Sequence, residues 1–451
     1  MTHVVDQRPF HWEYVPQPVA REAFRVTGGA VLRGRVAVAG AKNAALKMLA
    51  AACLTGERCR FTNVPEIEDV RVMAETLRDL GVVVDHPATN TYEISAGDVD
   101  WLFVPLEAAA KMRASFMLLG PLLTRFGEVI ISNPGGDRIG RRPVDLHVDA
   151  MRALGAEIEY RYGYYYAKAP GRLRGAEVRF PFVSVMGTEN AMLAATLAEG
   201  RTVIRPAAQE PEIDDLIEFL CKMGAEVERT APDTIEISGR KRLRGADHRV
   251  VPDRIEAGTF AIAAAMTGGQ VTLEGARCDH LDALVQVLGR MGVAVDCGVD
   301  TLSVNATNVG PGDYRAIDIE TAPYPGLATD LQPPTSVLLT QARGRSSVHE
   351  AIFEDRLEWL VELRKMGADV EIPDPHHAII EGPAELHGAD VEISDLRAGA
   401  SLILAALAAD GTSTIHGGHH VQRGYENIEA KFLDLGARIE RVQEEDPGLP
   451  A

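Results

Sequence analysis

The chain has no long apolar run. Although 46% of its 451 residues are hydrophobic, no stretch approaches the ~18 apolar residues of a membrane span. Aromatic residues are scarce, at 6%. Only five cysteines occur (Cys53, Cys59, Cys221, Cys278 and Cys297). Their odd number and mostly apolar settings read as buried free thiols rather than a disulfide framework, which points to a cytoplasmic protein. Cations are also short: 46 Lys and Arg face 65 Asp and Glu, a formal charge of −19. That balance argues against nucleic acid or an anionic membrane as the main partner. Residues 1–23 lack the basic start and apolar core of a signal peptide and read as an N-terminal extension. The length predicts two or three domains.

Against this acidic background the stretch from Pro134 to Arg142 stands out. Gly135, Gly136 and Gly140 let the loop bend sharply and bare its N–H groups. Arg138, Arg141 and Arg142 crowd one carboxylate, Asp137. An acidic chain that concentrates cations in one loop points to a bound anion, with Asp137 as the candidate for chemistry. The bland reading of Asp137 is a turn residue.

One phrase recurs six times: an amphipathic helix, a glycine, then a short alternating strand. The glycines are Gly81, Gly155, Gly224, Gly292, Gly367 and Gly436, spaced by roughly seventy residues, too long a period for the usual solenoids. Leu281, Leu284, Leu288 and Met291 share one helix face. The glycine supplies a left-handed stop, and the strand alternates apolar and acidic residues. Upstream lie second helices, apolar nearly all round and so expected to be buried: 44–54, 190–198, 257–266 and 397–408. Three units can pack such helices inside a ring of sheets, so six units make two domains. The chain is expected to cross between them near Gly40–Lys42 and again near Pro252–Arg254. The first domain is then 42–253 and the second, discontinuous, 24–41 plus 254–451. Two bodies joined by two strands suggest closure on a substrate in the cleft between them.

Eight motifs now occur in order: Gly40-Ala41-Lys42-Asn43-Ala44-Ala45, Arg113-Ala114-Ser115, Gly140 through His147, Pro252 through Glu256, Thr329-Asp330-Leu331-Gln332, Phe353 through Arg356, Asp395-Leu396-Arg397 and Arg423-Gly424-Tyr425-Glu426. Together they resemble the enolpyruvyl transferase family, EPSP synthase-like, and within it the UDP-N-acetylglucosamine 1-carboxyvinyltransferases, over about residues 24–441. The resemblance implies an α/β fold, a two-domain inverted αβ barrel of six βαβαββ repeats, three per domain. It implies transfer of the enolpyruvyl group of phosphoenolpyruvate to the 3-hydroxyl of UDP-N-acetylglucosamine with release of phosphate, the step that opens peptidoglycan synthesis. It implies no cofactor and no metal, and leaves the oligomeric state open.

The same resemblance distributes roles. Lys42, Asn43, Arg142, Arg356, Arg397 and Arg423 would bind phosphoenolpyruvate, with Lys42, Arg142 and Arg423 around the phosphate and Arg356 and Arg397 on the carboxylate, where a planar fork suits two oxygens. Lys42 also opens an apolar helix, whose N-terminus favours an anion. Asn43, Arg113, Arg142, Pro143, Val144, Asp145, Leu146, Ser184, Val185, Asp330 and Ile352 would hold the UDP-sugar. Asp137, Asp330, Lys42 and Arg397 would be catalytic. Asp330 is the candidate base, its alternative being a helix N-cap.

Four departures stand out. Asp137 replaces the cysteine usual in the family. A free thiol titrates near ~8.5 and a free aspartyl carboxyl near ~3.9, so Asp137 would act as general acid only in the closed, loaded site. A carboxylate is also a poor target for fosfomycin, the epoxide that alkylates the family's thiolate, so insensitivity is expected. Met186 stands for a glycine in the loop 182–190, and Lys47 and Gln422 also depart from the usual residues. These changes leave room for a paralogue acting on another nucleotide such as UMP, or for a catalytically silent nucleotide-sugar-binding regulator. The uridine-site motif disfavours a phosphorylated shikimate, and the acidic pI disfavours an RNA 3′-phosphate cyclase. His416, His419 and His420, like His376 and His377, are expected to be polar loop residues rather than metal ligands.

Overall fold

The computed structural model describes residues 22–443. Each of the six repeats builds one small sheet; five sheets have four strands and one has five. In each sheet a parallel edge strand joins three antiparallel strands, as where Asp247–Arg249 runs parallel to Cys59–Thr62, which pairs antiparallel with Thr91–Ser95. The six repeat glycines all take the left-handed conformation, with φ from 90° to 97°. Each is followed by the outer strand of its sheet (Val83–Ala88, Glu157–Arg161, Glu226–Ala231, Ala294–Cys297, Asp369–Asp374 and Arg438–Gln443). Charged side chains on these edges discourage pairing with another chain.

The helices lie inside the rings of sheets, which makes each half an inverted αβ barrel. Lys42–Ala51, Leu119–Phe126 and Val185–Ala195 are central to one apolar core, formed by buried residues between Ala41 and Val250. Arg254–Met266, Gln332–Leu339 and Leu396–Ala408 are central to the other, formed by residues 24–38 and 255–439. The strands Glu22–Thr27 and Arg33–Ala37 join the second set of sheets, pairing with Thr412–His416 and Gln270–Glu274. The two connections between the cores run side by side. Ala41 N–H donates to Val251 O (2.7 Å) and Asp253 N–H to Ala39 O (2.8 Å).

The structure corrects several expectations. Glu22 and Ala23, read as extension, open the first strand; Ala23 is buried between His416 and Val442. The remainder of that extension lies outside the described residues. Two inner helices start earlier than expected because side-chain caps set their starts. Ser184 Oγ accepts from Gly187 N–H, so the helix begins at Val185 and most of the expected loop 182–190 is helical. Asp253 Oδ1 accepts from Ile255 and Glu256 N–H, which starts the next helix at Arg254. Cys278 and Cys297 form a disulfide and Cys221 is exposed, so only Cys53 and Cys59 are buried free thiols. Cysteine usage therefore no longer argues for a reducing compartment. Among the described residues no helix is long and apolar enough to cross a membrane.

Candidate active site

Charged residues from the two cores meet in ion pairs. Lys42 begins its helix with its N–H on Asp253 Oδ2 (3.2 Å), so a carboxylate of the protein already uses part of the helix terminus expected to hold phosphate. The Lys42 ammonium lies 2.8 Å from Asp69 Oδ2. Asp69 is 3% exposed and also receives Arg423 Nε at 3.0 Å. Burial pushes the Asp69 carboxyl up, but Lys42 and Arg423 outweigh it and hold it below the usual carboxylate range. Arg423 Nη1 then grips Asp137. Asp69 thus ties a lysine of the first core to an arginine of the second. Nothing local in Ile67-Glu68-Asp69 announces this; the residue opens an ordinary amphipathic helix.

Asp330 sits in a single 3-10 turn, Thr329–Leu331, and does not cap the helix that follows. Its Oδ1 accepts from Arg356 Nη2 and its Oδ2 from Arg397 Nη2, both at 3.1 Å. Burial alone would raise its carboxyl; Arg397, Arg356 and Lys42 together hold it far below the usual range. Arg397 starts a helix capped by Asp395 and packs its guanidinium over the Tyr425 ring, 5.2 Å from the centroid. Arg356 Nε and Arg397 Nη1 are buried and have no acceptor. Buried guanidinium donors without partners are costly, so these two call for an anion.

Glu350, which sequence reasoning missed, locates this arginine segment. It is fully buried. Its Oε1 accepts from Thr321 Oγ1 and from Ile352 and Phe353 N–H, and its Oε2 from Thr329 Oγ1. One carboxylate therefore fixes Ile352 and the approach to Arg356 relative to Asp330.

The glycine-rich loop lies against the same segment. Arg141 N–H donates to Glu354 Oε1 (2.9 Å) and Asp355 N–H to Ile139 O (3.3 Å). Gly140 has φ 128°, and a Cβ there would stand 2.5 Å from Glu354 Oε2. The Arg138 and Arg141 side chains are exposed, and the cation on Asp137 is Arg423 rather than a sequence neighbour. Arg142 makes no ion pair among the described residues and lies over the Phe353 ring, 5.6 Å from its centroid. Burial lowers the Arg142 guanidinium, with Asp137 and Asp330 acting the other way. Arg113 donates to Pro143 O (3.0 Å); burial, with repulsion from Arg142, pushes it down to about 10. Arg113 and Arg142 are thus neighbouring guanidiniums with no ion pair to a carboxylate among the described residues. They adjoin Val144, Asp145 and Leu146, where the Asp145–Ala153 helix begins.

Six cations (Lys42, Arg113, Arg142, Arg356, Arg397 and Arg423) thus gather with four carboxylates, Asp69, Asp137, Asp253 and Asp330. The excess is positive in a chain of charge −19. Asn43, Ser184, Val185 and Ile352 are half-buried. His376 and His377 stand at a hairpin turn, Nδ1 of His376 bonding Glu350 O at 2.7 Å. His419 and His420 lie in a short helix after the strand that ends at His416. Among the described residues no group of three or more His, Cys, Asp and Glu side chains is arranged to hold a metal ion.

Comparison with known proteins agrees with this architecture. Residues 26–432 match the family model of EPSP synthase (3-phosphoshikimate 1-carboxyvinyltransferase). The UDP-N-acetylglucosamine 1-carboxyvinyltransferase of Azorhizobium caulinodans is 45% identical over 430 residues, covering 93% of this chain and 99% of the relative. That of Caulobacter vibrioides is 46% identical, covering 93% and 97%. Among solved structures, the enolpyruvyl transferase NikO from Streptomyces tendae superposes with a TM-score of 0.85 at 26% identity, covering 94% of this chain and 100% of that one. EPSP synthase from Acinetobacter baumannii shares the fold, with a TM-score of 0.74 at 21% identity and the same coverage. The chain belongs to the EPSP synthase family and, within it, to the UDP-N-acetylglucosamine 1-carboxyvinyltransferases.

Proposed function

We propose that this protein transfers the enolpyruvyl group of phosphoenolpyruvate to the 3-hydroxyl of UDP-N-acetylglucosamine, releasing phosphate, as the first committed step of peptidoglycan synthesis in the cytoplasm. The observation that carries this reading is the pair of buried, acceptor-less donors, Arg356 Nε and Arg397 Nη1, beside a carboxylate base, Asp330. The phosphoenolpyruvate carboxylate supplies the missing acceptor. Lys42, Arg142 and Arg423 take the phosphate. Arg113 and Arg142, with Pro143 through Leu146, Asn43, Ser184, Val185 and Ile352, take the nucleotide sugar.

Chemistry follows from these positions. Asp330 accepts the proton of the sugar 3-hydroxyl as its oxygen bonds to C2. Asp137 delivers a proton to C3, which gives a tetrahedral adduct. The C2–O bond to phosphate then breaks, C3 returns a proton, and the enol ether is formed. Arg423, which pairs with Asp137, is also one of the cations assigned to the phosphate, so the acid and the leaving group share one guanidinium. The positive excess in the cleft stabilises the charge gathered on the departing phosphate. Closure of one barrel on the other would exclude water from the adduct.

Phosphate release assayed with phosphoenolpyruvate and UDP-N-acetylglucosamine tests the reading, with UMP as the competing acceptor. Release that requires UDP-N-acetylglucosamine supports it. Release with UMP alone moves the protein to the paralogous reading, and no release with either leaves the silent regulator.

A further inference from the structure

The Val185–Ala195 helix is buried and apolar nearly all round, so apolar packing alone would leave its rotation and height loosely specified. Three consecutive polar residues tie it to three different neighbours. Thr188 Oγ1 accepts from Ala208 N–H (3.1 Å), just before the Pro211–Lys222 helix. Asn190 Oδ1 accepts from Gly120 N–H (2.8 Å), and its Nδ2 donates to Phe116 O and to His147 Nδ1, each at 3.0 Å. Between them Glu189 faces the Lys42–Ala51 helix, where Lys47 Nζ lies 3.5 Å from Oε2.

The Glu189 contact differs from its two neighbours. The residue is 0% exposed and neither carboxyl oxygen accepts a hydrogen bond. The charged groups that bear on it are Lys47, Glu212 and Glu210, two of the three being carboxylates. Burial, opposed by Lys47, pushes the Glu189 carboxyl up to about 8. Replacing a buried ion pair by an apolar pair of similar volume is often neutral or stabilising. Stability therefore does not account for this pair, and its location offers another reason. One turn back from Lys47 is Asn43, and one turn back from Glu189 is Val185, next to Ser184. Positions four apart share a helix face.

We propose that Lys47 and Glu189 are positioning residues for the acceptor, a buried link that fixes the separation of the helix ends presenting Asn43 and Ser184–Val185 to the nucleotide sugar. This inference rests on the acceptor reading given above. Loss of the link lets the two ends shift against each other, and small misplacements of binding groups are amplified in affinity and rate.

The test compares three proteins: wild type, Lys47→Met with Glu189→Leu, and the exchanged pair Lys47→Glu with Glu189→Lys. Calorimetric binding of UDP-N-acetylglucosamine and of phosphoenolpyruvate is measured separately, alongside KM, kcat and melting temperature. The apolar double variant is expected to melt no lower than wild type. Its Kd and KM for UDP-N-acetylglucosamine should rise on the order of tenfold, with a clearly smaller change in KM for phosphoenolpyruvate, because Lys42 on the same helix end is also held by Asp69. The exchanged pair should recover most of the acceptor affinity, a result that packing alone would not give. Wild-type acceptor affinity in the apolar variant overturns the proposal, as does equal weakening of both substrates. If wild type itself binds no UDP-N-acetylglucosamine, the acceptor reading fails, and this proposal with it.

Discussion

Arg397 donates to Asp330 at 3.1 Å while its other terminal nitrogen, buried, has no acceptor. The arginine is thus bound to the candidate base and still open to an anion. Exchanging Asp330 for Asn removes the proton acceptor and should lower kcat by about 10²–10⁴-fold, the usual share of a general base. Because Arg397, Arg356 and Lys42 keep the Asp330 carboxyl far below the usual range, it stays ionised through mildly acid pH. The acid limb of the kcat/KM profile should therefore not belong to Asp330. Steady-state phosphate release from pH 5 to 9 checks both expectations.

Asp69 should behave as a positioning residue for phosphoenolpyruvate. Asp69→Asn leaves Lys42 and Arg423 without their shared carboxylate, although Arg423 keeps Asp137. KM for phosphoenolpyruvate should rise by about tenfold or more, with a smaller change for the acceptor. Breaking a buried ion pair costs roughly 3 kcal/mol. Since the folded-state value of Asp69 is depressed, its stabilisation is present above the unfolded value near ~3.9 and is lost as pH falls through the folded one. The gap in melting temperature between wild type and Asp69→Asn should be full at pH 7 and shrink at strongly acid pH.

Asp137 carries two expectations. Asp137→Asn should abolish turnover while leaving phosphoenolpyruvate binding measurable by calorimetry. Fosfomycin should leave no covalent adduct on the wild-type protein, because a carboxylate is a weaker nucleophile than a thiolate, whereas Asp137→Cys should gain one equivalent by intact mass.

Glu354 receives the Arg141 N–H and occupies the space a side chain at Gly140 would need. Glu354→Ala should loosen the glycine-rich loop and lower kcat by about several-fold, since the Arg141 N–H bond it removes is exposed and worth less than a buried one, with little change in melting temperature. Gly140→Ala, strained at φ 128°, should be worse than Glu354→Ala in the same kcat assay.

The repeats were legible because their signals are local: a glycine that must take a left-handed conformation and a strand that alternates. Helix starts were less so, because the caps Ser184 and Asp253 sit in stretches that read as loop or crossing. Lys42, Asp330, Arg356, Arg397 and Arg423 were visible through their motifs, and the structure places them in two ion-pair clusters that the charge of Lys42 couples. Asp69 and Glu350 were invisible, because a buried carboxylate acquires its partners only in the fold, and Glu354, though inside a motif, gave no sign of its bond to Arg141. The same holds for Arg423 on Asp137, 286 positions apart, and for Cys278 with Cys297, whose meeting depends on how a 3-10 turn faces the end of a strand.

The central claim is enolpyruvyl transfer to UDP-N-acetylglucosamine by the Asp137 and Asp330 pair. Mass spectrometry of the products formed from ¹³C-labelled phosphoenolpyruvate and UDP-N-acetylglucosamine tests it most directly. The account predicts one labelled enolpyruvyl ether on the sugar for each phosphate released, and no such product with Asp137→Asn or Asp330→Asn. Phosphate release without label on the nucleotide sugar, or full product yield from either variant, would contradict it.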